Sequence, residues 1–307
     1  MPRLRRPHAV APGATIGIAA PGGPVEAEKL AAGAALWRSR GFRVVHRDDL
    51  TARRGFLAGD DLRRAEELSA LVRDPEVAAI VCARGGYGCA RILDALDPAR
   101  FREARKPLVG FSDVTTLLLW QRRRAGLVGF HGPMLEWGDD LDRDAFDDLI
   151  GQLCGTGPSP GILSGRGIGS GRASGRLVGG NLALVTASLG TPWEIDTRGA
   201  ILLLEEVGEQ PYRIDRMLQQ LRAAGKLSPL AGIGVGALRG CEDARYPTPT
   251  ALEVVEEIAR PLGLPLVVDL PFGHARRNHA WPLGARATID ADRGEVRVLE
   301  RGVVRAT

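Results

Sequence analysis

Three features of the sequence predict an α/β protein in two parts. From residue 15 to about 150, short apolar runs alternate with helical periods, the pattern of crossover units that build a parallel sheet covered on both faces. The stretch 154–175, reading CGTGPSPGILSGRGIGSGRASG, is dense in Gly, Ser and Pro and carries little that builds a core. Beyond it come short apolar strands with fewer helices, which point to a smaller mixed, β-rich domain, barrel-like with flanking helices. The expected organisation is therefore an N-terminal α/β domain over 1–153, a linker over 154–175 and a C-terminal domain over 176–307. With 307 residues, 44% of them hydrophobic, the chain has the length for two modest cores.

The elements follow in order. Pro12 and Gly13 break the N-terminal apolar stretch, so the first core strand is placed at 15–20, followed by a helix over 25–40 and a strand over 42–46. A helix over 60–73 and a strand over 79–83 come next, then a Gly-rich turn with a short helix, a strand over 108–111 and a helix over 113–125. In the second part, strands are expected at 175–178, 200–204, 232–236, 265–269, 286–290 and 295–299. Helical periods appear there near 182–189, 213–224 and 250–261. Parallel sheets collect ligands at the carboxyl ends of their strands. Three turns lie at those ends in the first part: PGGP at 21–24, RGGYG at 84–88 and GFSD at 110–113.

Composition narrows the function classes. The net charge is +4, and of 41 basic residues only Lys29, Lys106 and Lys226 are lysines; the arginines are spread along the chain and interleaved with acids. With no long like-charge block, RNA-binding signature or zinc-finger spacing, these charges read as solvated helix faces and no nucleic-acid partner is expected. Cys82, Cys89, Cys154 and Cys241 form no CxxC pair and no tight metal-ligand spacing, which fits reduced thiols in a cytoplasm. Arg3, Arg5 and Arg6 before an apolar stretch resemble the start of a signal peptide, but Pro12 and Gly13 interrupt it and it lacks leucine, so it is read as the first strand. No apolar run is long enough to span a membrane.

Chemistry centres on Ser112. A strand that breaks at a serine into a helix lifts that side chain from the sheet edge, while the amides opening the helix face whatever it attacks. The alternative is that Ser112 caps the helix, with Asp113 serving its dipole. A serine nucleophile needs a base and a group to orient it. Of the five histidines, His274 is the best placed, in a loop opened by Gly273 after a core strand; His131 is its rival, and either is otherwise a structural histidine. Glu205 ends a fully apolar strand, where a partly buried carboxylate needs a donor such as an imidazole; otherwise it pairs with Arg213 or Arg216. RGGYG is no dinucleotide fingerprint, because Arg91 stands where a third glycine is required. Its glycines instead allow close approach to a ligand with amides free to stabilise an oxyanion. His274 and His279 lack the neighbours a zinc site needs.

Taken together, AAP at 19–21, RGGYG, GFSDVTTLL at 110–118, HGPM at 131–134, LVGGNL at 177–182, LLEEVGEQPYRIDRML at 203–218 and GHARRN at 273–278 resemble the muramoyltetrapeptide L,D-carboxypeptidases, serine peptidases that include the microcin C immunity peptidases. The resemblance implies a Rossmann-like or flavodoxin-like first domain and a swivelling-type second one. It implies a Ser112, Glu205, His274 triad, with Ser112 on the N-terminal sheet and the other two on the C-terminal domain. It also implies an oxyanion hole from the amides of Asp113 and of Gly85 or Gly86, with Tyr87 and His131 against the substrate. The expected enzyme is a cytoplasmic homodimer without metal or cofactor that releases D-alanine from murein tetrapeptides. The alternatives are cleavage of aminoacyl-nucleotide amides, or a catalytically silent binder of peptidoglycan fragments. Val114 stands where an α/β-hydrolase elbow has glycine, which argues against that superfamily. Of the adjacent Glu205 and Glu206, the resemblance selects Glu205, and Glu206 is expected to face away.

Overall fold

The computed structural model describes residues 4–136, 142–156 and 161–305. The chain divides into two compact units: Met1–Pro158 with His279–Leu283 and Arg301–Thr307, and Ser159–Asn278 with Gly284–Glu300.

The first unit is built on strands β1 (Thr15–Ala19), β2 (Arg43–Val45), β3 (Val77–Cys82), β4 (Leu108–Gly110) and β5 (Gly129–His131), all mutually parallel. Each of β1, β4 and β5 is wholly buried, as a sheet covered on both faces requires. Helices α1 (Ala27–Ser39) and α2 (Asp61–Arg73) follow β1 and β2 as crossovers. Asp60 caps α2 by accepting the Arg63 amide, so the helix begins where the side chain leaves the backbone pattern. Short helices α3 (Cys89–Ile92) and α4 (Pro98–Ala104) lie between β3 and β4; α5 (Val114–Trp120) follows β4 and continues as a wider turn to Ala125. Helix α6 (Arg143–Cys154) closes the unit against α1, where Trp37 packs edge-on to Phe146 with ring centres 5.0 Å apart and to Phe42 at 5.5 Å. Because the strands are parallel, the loops after β1, β3 and β4 emerge at one edge of the sheet.

The second unit is an eight-stranded mixed sheet in the order β6-β14-β13-β8-β9-β10-β11-β7. Its centre is parallel: β8 (Arg172–Asn181), β9 (Ala200–Val207), β10 (Gly232–Arg239) and β11 (Leu266–Val268). Around it run antiparallel strands β6 (Ile162–Ser164), β7 (Arg166–Ile168), β13 (Arg286–Asp290) and β14 (Glu295–Val298). Helices α7 (Leu182–Ala187), α8 (Pro211–Ala223) and α9 (Ala251–Ala259) complete it; Asn181 caps α7, and Thr250 and Glu253 form a reciprocal capping box on α9.

The expected linker over 154–175 is corrected. Residues 157–160 of it lie outside the described residues, and the rest does not behave as a tether. Cys154 ends α6, while β6, β7 and the start of β8 all fall inside it. An edge strand draws its ladder from backbone groups and needs little apolar content; in β6 only Leu163 turns inward. The second unit thus opens at Ser159 rather than 176, and the C-terminal domain is not continuous over 176–307. Strand β12 (Trp281–Leu283) returns to pair antiparallel with β5 in the first unit, and Val304 rejoins the same unit through a parallel bridge to His8. No helix among the described residues is long and apolar enough to cross a membrane.

Trp37 is 2% exposed and joins α1, α6 and the turn into β2. Trp37→Ala is expected to lower unfolding stability by about 3–5 kcal/mol, read from the urea midpoint. A shift below about 1 kcal/mol would mean that this contact does not bind α6 to the sheet.

Candidate active site

Strand β4 ends at Gly110, and the chain turns at Ser112 with φ +60, a left-handed conformation that a residue with a Cβ adopts only when its surroundings impose it. This answers the capping alternative. The residue at the helix boundary is Asp113, neither side chain makes a capping bond there, and the Ser112 carbonyl accepts the Thr115 amide at 2.9 Å. The hydroxyl is left half-buried at the C-terminal edge of the sheet.

What abuts Ser112 is the backbone of Gly85. A Cβ on Gly85 would lie 2.8 Å from the Ser112 Cβ and 3.0 Å from its Oγ, so no side chain fits at that position. The three loops at this edge are tied together. The Gly23 amide donates to the Gly85 carbonyl at 2.7 Å, and the Cys89 amide donates to Asp113 Oδ2 at 2.8 Å. Burial pushes the Asp113 carboxyl up, and the Cys89 amide and Arg64 draw it back down. Arg64, wholly buried, reaches from α2 and donates through Nη1 to the carbonyls of Pro21 and of Gly88, the latter at 2.9 Å, and through Nη2 to Asp61. One guanidinium therefore fixes the loop after β1 to the loop after β3. Among the described residues, the amides of Gly85, Gly86 and Asp113 donate to no acceptor.

The other expected binding residues fare differently. Tyr87 is 53% exposed and packs edge-on to Phe56, itself 66% exposed, with ring centres 5.5 Å apart. His131 is wholly buried in the first unit, stacked on Trp281 at 4.9 Å and tilted against Phe111 at 5.7 Å.

Glu205 and His274 belong to the second unit. Glu205 sits on β9, whose seven residues from Ala200 to Glu206 are buried, and is wholly excluded from solvent. Its Oε2 accepts both the His274 amide at 3.2 Å and His274 Nδ1 at 2.7 Å. A buried carboxylate accepting from Nδ1 requires the proton on that nitrogen, which leaves Nε2 as the basic one. The His274 ring is 16% exposed. Gly273 makes this approach possible: its φ is +100, and a Cβ there would lie 2.6 Å from the Glu205 Cβ and 2.8 Å from Oε2. The loop is clipped by buried Asn278, whose Oδ1 accepts the Gly273 amide at 2.9 Å. Glu206 turns to α7 instead, accepting from Asn181 Nδ2 at 2.9 Å and from the amides of Ala183 and Val207 at 2.8 Å; burial pushes its carboxyl up, and these donors oppose the shift. Arg213 pairs with Glu209, not Glu205.

The expected residues thus assemble as two sets, Ser112 with Gly85, Gly86 and Asp113 in the first unit, and Glu205 with His274 in the second. Arg64 and Asn278 were not singled out from the sequence. Arg64 reads there as one more charge on a solvated helix, and Asn278 is visible only as the end of GHARRN. Among the described residues no three His, Cys, Asp or Glu side chains converge as a metal site would need.

Residues 16–132 match the model of the LD-carboxypeptidase N-terminal domain and residues 174–289 that of the LD-carboxypeptidase C-terminal domain. The chain is similar to the murein tetrapeptide carboxypeptidase of Pseudomonas aeruginosa, 34% identical over 79% of this chain and 82% of that one. It is similar also to the microcin C7 self-immunity protein MccF of Escherichia coli, 25% identical over 98% and 96%. Among solved structures, the muramoyltetrapeptide carboxypeptidase of Oxalobacter formigenes superposes with a TM-score of 0.81 at 30% identity, covering 92% of this chain and 97% of that one. MccF in complex with glutamyl sulfamoyl guanosine superposes with a TM-score of 0.89 at 22% identity, covering 97% and 99%, a likeness of fold.

Two substitutions test the local geometry. Arg64→Ala strands the Pro21 carbonyl in the interior, leaves the Gly88 carbonyl with only the Arg91 amide, and is expected to cost about 3 kcal/mol in guanidinium unfolding; a loss under about 1 kcal/mol would contradict its bridging role. Gly273→Ala is expected to push the loop off Glu205, seen in proton NMR as loss of the downfield His274 Nδ1 proton from a chain that remains folded. A resonance that persists in place would show that the loop tolerates a side chain there.

Proposed function

This chain belongs to the LD-carboxypeptidase family, and on that premise we propose that it is a serine-type L,D-carboxypeptidase that releases the C-terminal D-alanine of murein tetrapeptides. The observation that carries the reading is the buried Glu205 carboxylate fixing His274 through Nδ1 at 2.7 Å, which orients Nε2 as a base in a protein whose first unit holds a serine turned out of its sheet. The likeness to two tetrapeptide carboxypeptidases, at 34% and 30% identity, supports murein peptides as the substrate class.

In the proposed reaction His274 Nε2 removes the Ser112 proton as Oγ attacks the carbonyl of the diamino acid that precedes D-alanine. Glu205 remains ionised, holds the tautomer and stabilises the imidazolium. The amides of Asp113 and of Gly85 or Gly86 receive the developing oxyanion, each contributing about 3 kcal/mol to transition-state stabilisation. The imidazolium then protonates the departing amine of D-alanine, leaving an acyl group on Ser112. Water, deprotonated by the same imidazole, hydrolyses that ester and restores the serine. No step calls for a metal or cofactor.

Purified protein incubated with L-Ala-γ-D-Glu-diamino acid-D-Ala is expected to release D-alanine, measured by chiral chromatography. Ser112→Ala is expected to lower kcat by about 10⁴-fold or more, and Glu205→Gln by a factor of about 10⁴. Release by the Ser112→Ala variant at the wild-type rate would exclude this nucleophile. Turnover of an aminoacyl sulfamoyl adenosine with none of the tetrapeptide would move the substrate to the nucleotide class, and tight binding without turnover of either would make the protein a binder.

A further inference from the structure

We infer that Arg84 is the residue that receives the free α-carboxylate of the amino acid to be released, and so makes the enzyme a carboxypeptidase rather than an endopeptidase; the inference rests on the reading of Ser112 as nucleophile. A peptidase that removes one terminal residue must recognise a carboxylate a single residue beyond the bond it cuts. That demands a fixed cation on the leaving-group side, close to the nucleophile yet open to solvent.

Arg84 is a fixed cation in the loop beside the nucleophile and is open to solvent. It follows β3 at the C-terminal edge of the first sheet and directly precedes Gly85, the residue against which Ser112 rests. The backbone between hydroxyl and guanidinium is glycine and closely packed. Ser112 Oγ lies 3.0 Å from the Cβ position of Gly85; the Gly85 carbonyl lies 3.2 Å from the Cβ position of Gly23; that position lies 3.6 Å from Arg84 Nη1. A substrate with one residue beyond the scissile carbonyl spans about 8–10 Å from attacking oxygen to carboxylate partner, so its cation must come from a neighbouring loop such as this one.

The guanidinium is held in place but not used up. Nε faces Glu136 Oε2 at 2.8 Å and Nη1 donates to the Pro24 carbonyl at 3.0 Å, while Nη2 has no partner among the described residues. The side chain is 39% exposed. Glu136 does not cancel the charge, because Lys29 Nζ shares it at 3.1 Å from Oε1, so two cations meet one carboxylate and the cluster keeps a net positive charge. Other arginines near this edge are committed elsewhere. Arg64 is wholly buried on backbone carbonyls, Arg91 is engaged with Asp61 through Nε and Nη2, and Arg53 pairs with Glu26. Asp113 lies against Gly22, buried and hydrogen-bonded to the Cys89 amide.

The test compares two substrates on one protein, the tetrapeptide ending in free D-alanine and the same peptide ending in D-alaninamide. Wild type is expected to prefer the acid by roughly 100-fold in kcat/KM. In Arg84→Gln that preference is expected to collapse towards unity, the loss on the acid appearing chiefly in KM, and Arg84→Lys is expected to restore part of it. A loop merely loosened by the substitution would slow both substrates alike and leave their ratio intact. A ratio in Arg84→Gln equal to that of wild type overturns the assignment, as does a wild type that cleaves acid and amide equally. If wild type releases nothing from either peptide, the reading of the enzyme itself fails, a result distinct from both.

Discussion

Everything at the edge of the first sheet depends on one steric condition: at position 85 there is no side chain. Ser112 leaves β4 in a left-handed conformation, and its hydroxyl lies only 3.0 Å from where a Cβ on residue 85 would stand. The strain of that conformation is small in absolute terms, about 1–3 kcal/mol, yet it persists only where neighbouring structure over-determines it. Here the over-determination comes from hydrogen bonds between loops. Gly23 holds the Gly85 carbonyl, Asp113 holds the Cys89 amide, and Arg64 joins the Pro21 and Gly88 carbonyls from beneath. The glycines provide room for the serine, and the buried arginine and aspartate keep that room from collapsing.

The second unit solves the complementary problem by burial. A carboxylate on a fully buried strand cannot be left without donors, and Glu205 obtains two from His274 on one oxygen. The same bonds leave the opposite face of the imidazole with a basic nitrogen. On the proposed reading the division of labour is therefore physical as well as topological: the first unit supplies strain, amides and positive charge, and the second supplies a desolvated acid with an oriented base. Its adjacent acid, Glu206, shows how sharply a strand separates neighbours, since alternation sends it to the Ala183 amide at the start of α7 instead.

Much of this architecture was legible in the residues. Alternating apolar runs and helical periods placed β1, α2, β3 and β4 within a few residues, because parallel strands and their crossovers carry a strong periodic pattern. The apolar run into Glu205 and the glycine before His274 marked the carboxylate and imidazole that the fold brings into contact. What escaped were features that lack such a signal. Strands β6 and β7 lie in a Gly- and Ser-rich stretch because edge strands rely on backbone ladders, and β12 is three residues recruited back across the chain by pairing with β5. The stacking of Trp281 on His131 joins residues far apart in the chain, and no local pattern announces it. Arg64 is indistinguishable by sequence from the surface arginines around it.

The most direct trial of the cooperation proposed between Ser112 and His274 is covalent. A fluorophosphonate probe labels a serine only when its hydroxyl is activated by a base, and peptide mapping by mass spectrometry locates the adduct. Wild type is expected to carry a single adduct on Ser112, and His274→Ala to label at least about 100-fold more slowly. An adduct on another residue, or equal labelling of Ser112 in both proteins, would contradict the account.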